Sequence, residues 1–96
     1  MKIDRDSLKV LHQQNRSRFE ILIDKYVAEL DYRLEGNIIT FIHTGVPKAL
    51  EGNGIGSLIV RAGLDYAREQ GYKVVPLCSF VDSYMTRKAE YAELRA

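Results

Sequence analysis

The chain changes its hydrophobic period once, near residue 50, and that switch leaves few folds open to it. Before it, Tyr26, Ala28, Leu30, Tyr32 and Leu34 fall on one face of an extended segment, with Glu29, Asp31 and Arg33 on the other. A strand with one buried and one wet face belongs to an antiparallel sheet. Its neighbours have the same character. Leu8, Val10 and His12 alternate with Lys9, Leu11 and Gln13, and Asn15-Arg16-Ser17 supplies a turn before a strand over Phe19–Ile23. Glu35-Gly36-Asn37 closes a hairpin, because Gly and Asn tolerate positive φ. Ile38–Thr44 is more apolar throughout, which predicts a central strand covered on both sides.

After the switch, Ile55, Leu58, Ile59, Ala62 and Tyr66 recur at helical spacing, with Arg61, Asp65, Arg68 and Glu69 opposite. Gly71 is placed to end that helix in the left-handed conformation. Tyr72–Leu77 reads as a short buried strand, with Pro76 near its end where a missing amide costs little. Strand, helix, strand in this order implies a right-handed crossover and a parallel pair. Ser79–Leu94 is mostly helical, with Phe80, Tyr84, Tyr91 and Leu94 on one side. The expected fold is mixed α+β: an antiparallel meander, a crossover helix, one parallel strand and a C-terminal helix or two.

Length and charge narrow the function. Ninety-six residues, 46% hydrophobic and 28% charged, suit a single domain over 1–96 with one modest core. Fourteen Lys plus Arg against thirteen Asp plus Glu give +1, so no basic field recruits nucleic acid or a membrane surface. One cysteine and two histidines exclude an intramolecular disulfide and the usual zinc spacings, so no metal is expected. No apolar run approaches a membrane span, and no signal-peptide core opens the chain, so a cytoplasmic location is expected.

The segment Leu50-Glu51-Gly52-Asn53-Gly54-Ile55-Gly56-Ser57 joins the central strand to the crossover helix. Its glycines let the backbone turn tightly and let a ligand approach the amides. The first helical N–H groups lack internal partners and stand at the positive end of the helix dipole, a combination that favours a phosphate or pyrophosphate. The competing reading is a tight strand-to-helix turn with glycines for packing only. No Gly-Lys-Ser/Thr follows, which argues against a nucleoside triphosphatase loop, and the spacing of Gly52, Gly54 and Gly56 is not that of a dinucleotide fingerprint.

Gly54-Ile55-Gly56 opening an amphipathic helix resembles the Gln/Arg-x-x-Gly-x-Gly/Ala signature of the GNAT superfamily of acetyl-CoA-dependent N-acetyltransferases. The longer string Phe41 to Pro47, then Glu51 to Gly56, then Val75-Pro76-Leu77-Cys78-Ser79-Phe80-Val81 and Tyr84, resembles the minimal, single-domain YjdJ-type branch of that superfamily, over roughly residues 15–95. The resemblance implies a truncated acyl-CoA N-acyltransferase fold. It also implies coenzyme A contacts from Thr44, Val46, Glu51, Gly52, Asn53, Gly54, Ile55, Gly56 and Ser57. Two departures stand out. Glu51 replaces the signature's Gln or Arg, and Lys88-Ala89 stands where the branch commonly has His-Pro, so the C-terminal helix is expected to run on.

Three side chains are candidates for chemistry. Cys78 follows the parallel strand at the carboxyl end of the sheet, where ligands of open α/β sheets gather. It reads either as a small buried hydrophobe or, by the resemblance, as a nucleophile beside the thioester. A thiolate there would draw on the start of the following helix. Tyr84 reads as core packing or, by the resemblance, as the general acid that protonates the departing coenzyme A thiolate. His43, expected on the face of Ile39 and Phe41, reads as a sheet histidine or a general base for the acceptor amine. His12 reads as a plain surface residue. Lys48, Arg87 and Lys88 are available to a further phosphate.

These readings lead to an acetyl-CoA-dependent N-acetyltransferase that acts directly or through acetyl-Cys78. The alternatives are a module that holds acetyl-CoA or coenzyme A without efficient turnover, and a scaffold whose glycine loop binds nothing. The chain begins almost at its sheet, so an open acceptor side is expected, suited to a protein tail or an extended amine. A monomer or weak dimer is expected.

Overall fold

A computed structural model describes residues 3–96. Four antiparallel strands run in sequence order: β1 (Val10–Gln13), β2 (Arg18–Ile23), β3 (Tyr26–Glu35) and β4 (Ile38–Gly45). Helix α1 (Ile55–Gln70) then crosses over to β5 (Lys73–Pro76), which pairs parallel with β4 from Ile38↔Lys73 to Phe41↔Pro76. Helix α2 (Ser79–Arg87) and a 3-10 turn (Ala89–Leu94) complete the chain. The expected meander, crossover and parallel pair are all present.

Both helices cover one face of the sheet. The core joins Phe19, Ile21, Ala28, Leu30, Ile39 and Phe41 of the strands to Ile59, Leu64 and Ala67 of α1 and to Val81 and Met85 of α2. Gly63 sets how closely α1 approaches, since a Cβ there would lie 2.8 Å from Leu30 Cδ2 and 3.0 Å from Phe41 Cε1. Gly71 ends α1 with φ 76°, its amide and that of Tyr72 closing back onto the last turn.

The opposite face is open, and this corrects the expectation for β4: Ile39 and Phe41 are buried, but Ile42 is 40% exposed. The wet face is held by ions instead. Arg18 pairs with Glu29, with Asp31 at 2.8 Å and with Glu20 at 3.4 Å, and these contacts satisfy a Glu20 that is itself buried. Leu34, expected inside with Tyr32, stands partly exposed at the hairpin end of β3.

Two local features depart from simple periodicity. The β3–β4 register jumps from Asp31↔His43 to Tyr32↔Phe41, so Ile42 is the extra residue of a β-bulge. The bulge returns Thr44, opposite Leu30, to the helix side and turns His43 outward. At the C-terminus, α2 does not run on. Lys88 leaves the helical region (φ −112°, ψ 88°), because tertiary contacts beyond it outweigh local helix propensity. The Tyr91 hydroxyl donates to Asp65 at 2.7 Å, Leu94 is buried, and the Ala96 amide donates to the Val74 carbonyl at 2.9 Å.

Candidate functional site

The connection from β4 to α1 folds on its own polar groups. A 3-10 turn (Lys48–Leu50) leads into Gly52 and Gly54, at φ 84° and 73°, in the left-handed region that glycine adopts without strain. The Asn53 side chain donates to the Leu50 carbonyl at 2.9 Å and to the Glu51 carbonyl at 3.3 Å, which ties the loop together. Gly54 caps α1 with no side-chain hydrogen bond, and the first intrahelical bond is from Leu58 to Gly54. The amides of Ile55, Gly56 and Ser57 therefore stand free at the helix start.

Two spaces meet at this loop. One, of about 270 Å³, is lined by Val46, Glu51, Gly52, Ile55, Gly56 and Phe80, among others. The Phe80 ring rests on the loop so closely that a Cβ on Gly56 would lie 2.8 Å from its Cζ. The other, of about 580 Å³, opens between α1 and α2 and shares Gly54 and Ser57 with the first. Its walls carry Arg5, Arg61, Arg87, Lys88 and Tyr84, with Asp6 as the one carboxylate among the described residues. Among the described residues, none of those four cations has a carboxylate within ion-pairing distance. Sequence reasoning singled out Arg87 and Lys88 but missed Arg61 and Arg5. Arg61 lies seven residues beyond Gly54, two turns along one helix face, a spacing that could have pointed to it. Arg5 lies too far away in sequence to give any such signal. Lys48 does not line the cavity.

Cys78 begins α2. Its amide donates to the Phe41 carbonyl at 3.0 Å, which fixes it against the end of β4. Its sulfur lies 3.4 Å from the Thr44 hydroxyl. Burial acts to raise the thiol pKa, but the Thr44 hydroxyl and the amides of Val81, Phe80 and Thr44 outweigh it, and the thiol sits below its ordinary value. Thr44, expected as a coenzyme A contact, is also the hydrogen-bond partner of the Cys78 sulfur.

Tyr84 is buried against the basic cavity, and the Arg87 guanidinium lies 5.8 Å over its ring. Burial raises its hydroxyl pKa, and the charge of Arg61 only partly offsets this, so the proton is held. Cys78, six residues before Tyr84 at the opening of α2, is not itself among the residues that line this cavity. His43 joins neither. The bulge places it on the open face, where it forms a cluster with Glu29 and Asp31 within 4.8 Å. Arg18 already pairs with both carboxylates. His12 is likewise no plain surface residue: it stacks on Phe19 at 4.1 Å and shares a 2.7 Å hydrogen bond with the Tyr32 hydroxyl.

A mixed sheet backed on one face by helices, with a glycine loop between the last antiparallel strand and the crossover helix, defines the N-acyltransferase class of fold. Residues 18–94 match the family of GCN5-related N-acetyltransferases, and the chain belongs to it. Protein NATD1 of Mus musculus is 28% identical over 82 residues, spanning 81% of this chain and 74% of that protein. The Homo sapiens protein of the same name is 28% identical over 82 residues, covering 81% and 72%. The NMR structure of a GCN5-like protein from Staphylococcus aureus, described as a candidate N-acetyltransferase, superposes with a TM-score of 0.72 at 30% identity, covering 93% of this chain and 88% of that one. No helix among the described residues is long and apolar enough to cross a membrane.

Proposed function

We propose that the chain is an acetyl-CoA-dependent N-acetyltransferase whose substrate lies along the glycine loop with its phosphates toward the basic cavity. The observation that carries this reading is the cavity itself. Four cationic side chains converge beside unpartnered helix amides with no ion-pair partner among the described residues, an arrangement that a polyanionic ligand relieves. The family's general use of acetyl-CoA agrees with that chemistry.

The substrate supplies an activated thioester, and the chain supplies position and proton control. The amides of Ile55, Gly56 and Ser57 hold the pyrophosphate, and Val46 and Phe80 flank the loop. Thr44 and the start of α2 favour the Cys78 thiolate. In the covalent route a bond forms from Cys78 Sγ to the acetyl carbonyl carbon as the carbon–sulfur bond to coenzyme A breaks. The departing thiolate takes a proton from Tyr84. Attack of an acceptor amine then forms the amide as the acetyl–sulfur bond breaks, Cys78 leaves as its thiolate, and the amine's proton restores the one that Tyr84 gave up. Without that intermediate the amine attacks the thioester directly.

Calorimetry with acetyl-CoA, followed by transfer of labelled acetyl to spermidine or a lysine-bearing peptide, tests the reading. Saturable binding with transfer is expected. Binding without transfer would mark a coenzyme A-holding module, and no binding would leave the loop as a structural turn.

A further inference from the structure

The N-terminal turn Arg5–Ser7 lies outside residues 18–94, the span shared with the family. It is nonetheless held in one place. Asp4 accepts from the Asp6 amide at 3.1 Å, and the Ser7 hydroxyl donates to the Asp4 carbonyl at 2.8 Å. On either side, Ile3 and Leu8 pack against the core. This anchoring carries the Arg5 side chain across to the glycine loop, where a Cβ on Gly54 would collide with its Nη1. A guanidinium held at the positive end of α1, beside free amides, is repelled by its surroundings in the unliganded protein. Among the described residues it has no carboxylate partner, and Asp6, next to it in the chain, faces the same cavity.

We infer that the Arg5–Ser7 turn is a strap of the ligand site, and that Arg5 binds the pyrophosphate of coenzyme A from the side opposite the loop amides. This rests on the acetyl-CoA reading above. The geometry separates two ends of the cavity. Arg5 stands at Gly54, whereas Arg61 lies about 10 Å further along α1 at 1.5 Å per residue, with Arg87 and Lys88 on the facing helix. Arg5 thus addresses a phosphate close to the helix start. The distal cations address a second anionic group, and the 3′-phosphomonoester of coenzyme A is one. A planar, two-pronged donor suits a pyrophosphate better than an ammonium does.

Titration calorimetry of the whole chain with coenzyme A and with dephospho-coenzyme A tests the strap. Arg5→Ala is expected to weaken both ligands about tenfold, the scale of one charge-assisted hydrogen bond. Arg5→Glu should weaken both further, and Arg5→Lys should recover only part of the loss. Arg61→Ala should instead weaken coenzyme A and leave dephospho-coenzyme A nearly unchanged. Wild-type binding that is unaltered, or tightened, in both Arg5→Ala and Arg5→Glu would overturn the strap while leaving the acetyl-CoA reading intact. Failure of the wild type to bind either ligand would overturn both. Arg5 is exposed, and matched thermal unfolding of each variant excludes a loss of fold as the cause.

Discussion

The Thr44 hydroxyl and the Cys78 sulfur lie 3.4 Å apart, joining the carboxyl end of β4 to the residue that precedes α2. This contact exists because the bulge at Ile42 returns Thr44 to the helix side of the sheet. Its consequence is chemical: it holds the thiol below its ordinary pKa against the opposing effect of burial. The rate of alkylation by iodoacetamide should therefore rise with pH through a midpoint below that of an ordinary cysteine. Thr44→Val should move the midpoint upward. Coincident profiles for the two proteins would remove Thr44 from any role in activating Cys78.

An acceptor-free assay reaches the catalytic roles of Cys78 and Tyr84. Incubation with acetyl-CoA alone should leave one acetyl group on Cys78, read by intact-protein mass spectrometry, and Cys78→Ala should lose it. Tyr84→Phe should slow the appearance of the adduct by about 10²–10⁴-fold, the usual contribution of a general acid, with coenzyme A affinity nearly unchanged. Equal rates would return Tyr84 to packing. Absence of the adduct in the wild type would leave direct transfer as the mechanism.

Gly56 and Phe80 are coupled by contact, since a Cβ on the glycine would sit 2.8 Å from the ring. Gly56→Ala alone should cost on the order of 1–2 kcal/mol through overpacking. With Phe80→Ala already in place, the same change should be neutral or stabilising by up to about 1 kcal/mol, because alanine favours helix over glycine. Urea denaturation of the four proteins of the cycle measures the coupling. Additive effects would mean that the ring does not rest on the loop.

Much of this fold is legible in the sequence where a rule acts locally. The alternation of β3, the glycine that ends α1 and the apolar stripe of that helix each follow from neighbouring residues. The features that escaped depend on partners distant in sequence. One extra residue in β4 reverses every later side chain, so His43, expected beside Ile39 and Phe41, faces Asp31 instead. Nothing in Lys88-Ala89 announces a break. It follows from Tyr91 reaching Asp65, twenty-six residues earlier. Arg5 meets Gly54 only because Ile3 and Leu8 find the core. The unpaired amides at the start of α1 are legible in the sequence, because the first amides of any helix lack intrahelical partners whatever surrounds them.

The bond from Tyr91 to Asp65 closes the C-terminal turn over α1, with the Arg68 guanidinium 4.8 Å from the ring. Tyr91 is buried, so Tyr91→Phe removes the hydrogen bond while keeping the packing. The expected loss is about 1–2 kcal/mol in urea unfolding. Asp65→Asn, which can still accept the bond, should cost less. An unchanged midpoint in Tyr91→Phe would show that the turn is held by apolar burial alone.

His12 gives the stability a pH dependence whose sign can be worked out. The ring is half-buried between Phe19 and Tyr66, and burial lowers its pKa from the ordinary 6.5. The folded chain thus releases its proton more readily than the unfolded chain does. Below pH 6.5 the unfolded state takes up protons that the folded state refuses, and stability falls with them. The contribution of His12 is fully present above 6.5 and is lost as the pH drops through the lower, folded value. The groups against the ring are Phe19, Tyr32 and Tyr66, none of them a carboxylate, an amine or a second imidazole. His12→Gln should therefore flatten the decline in unfolding midpoint between pH 7 and pH 5 relative to the wild type, even if its absolute stability is lower. Parallel declines in the two proteins would assign the acid sensitivity to groups other than His12.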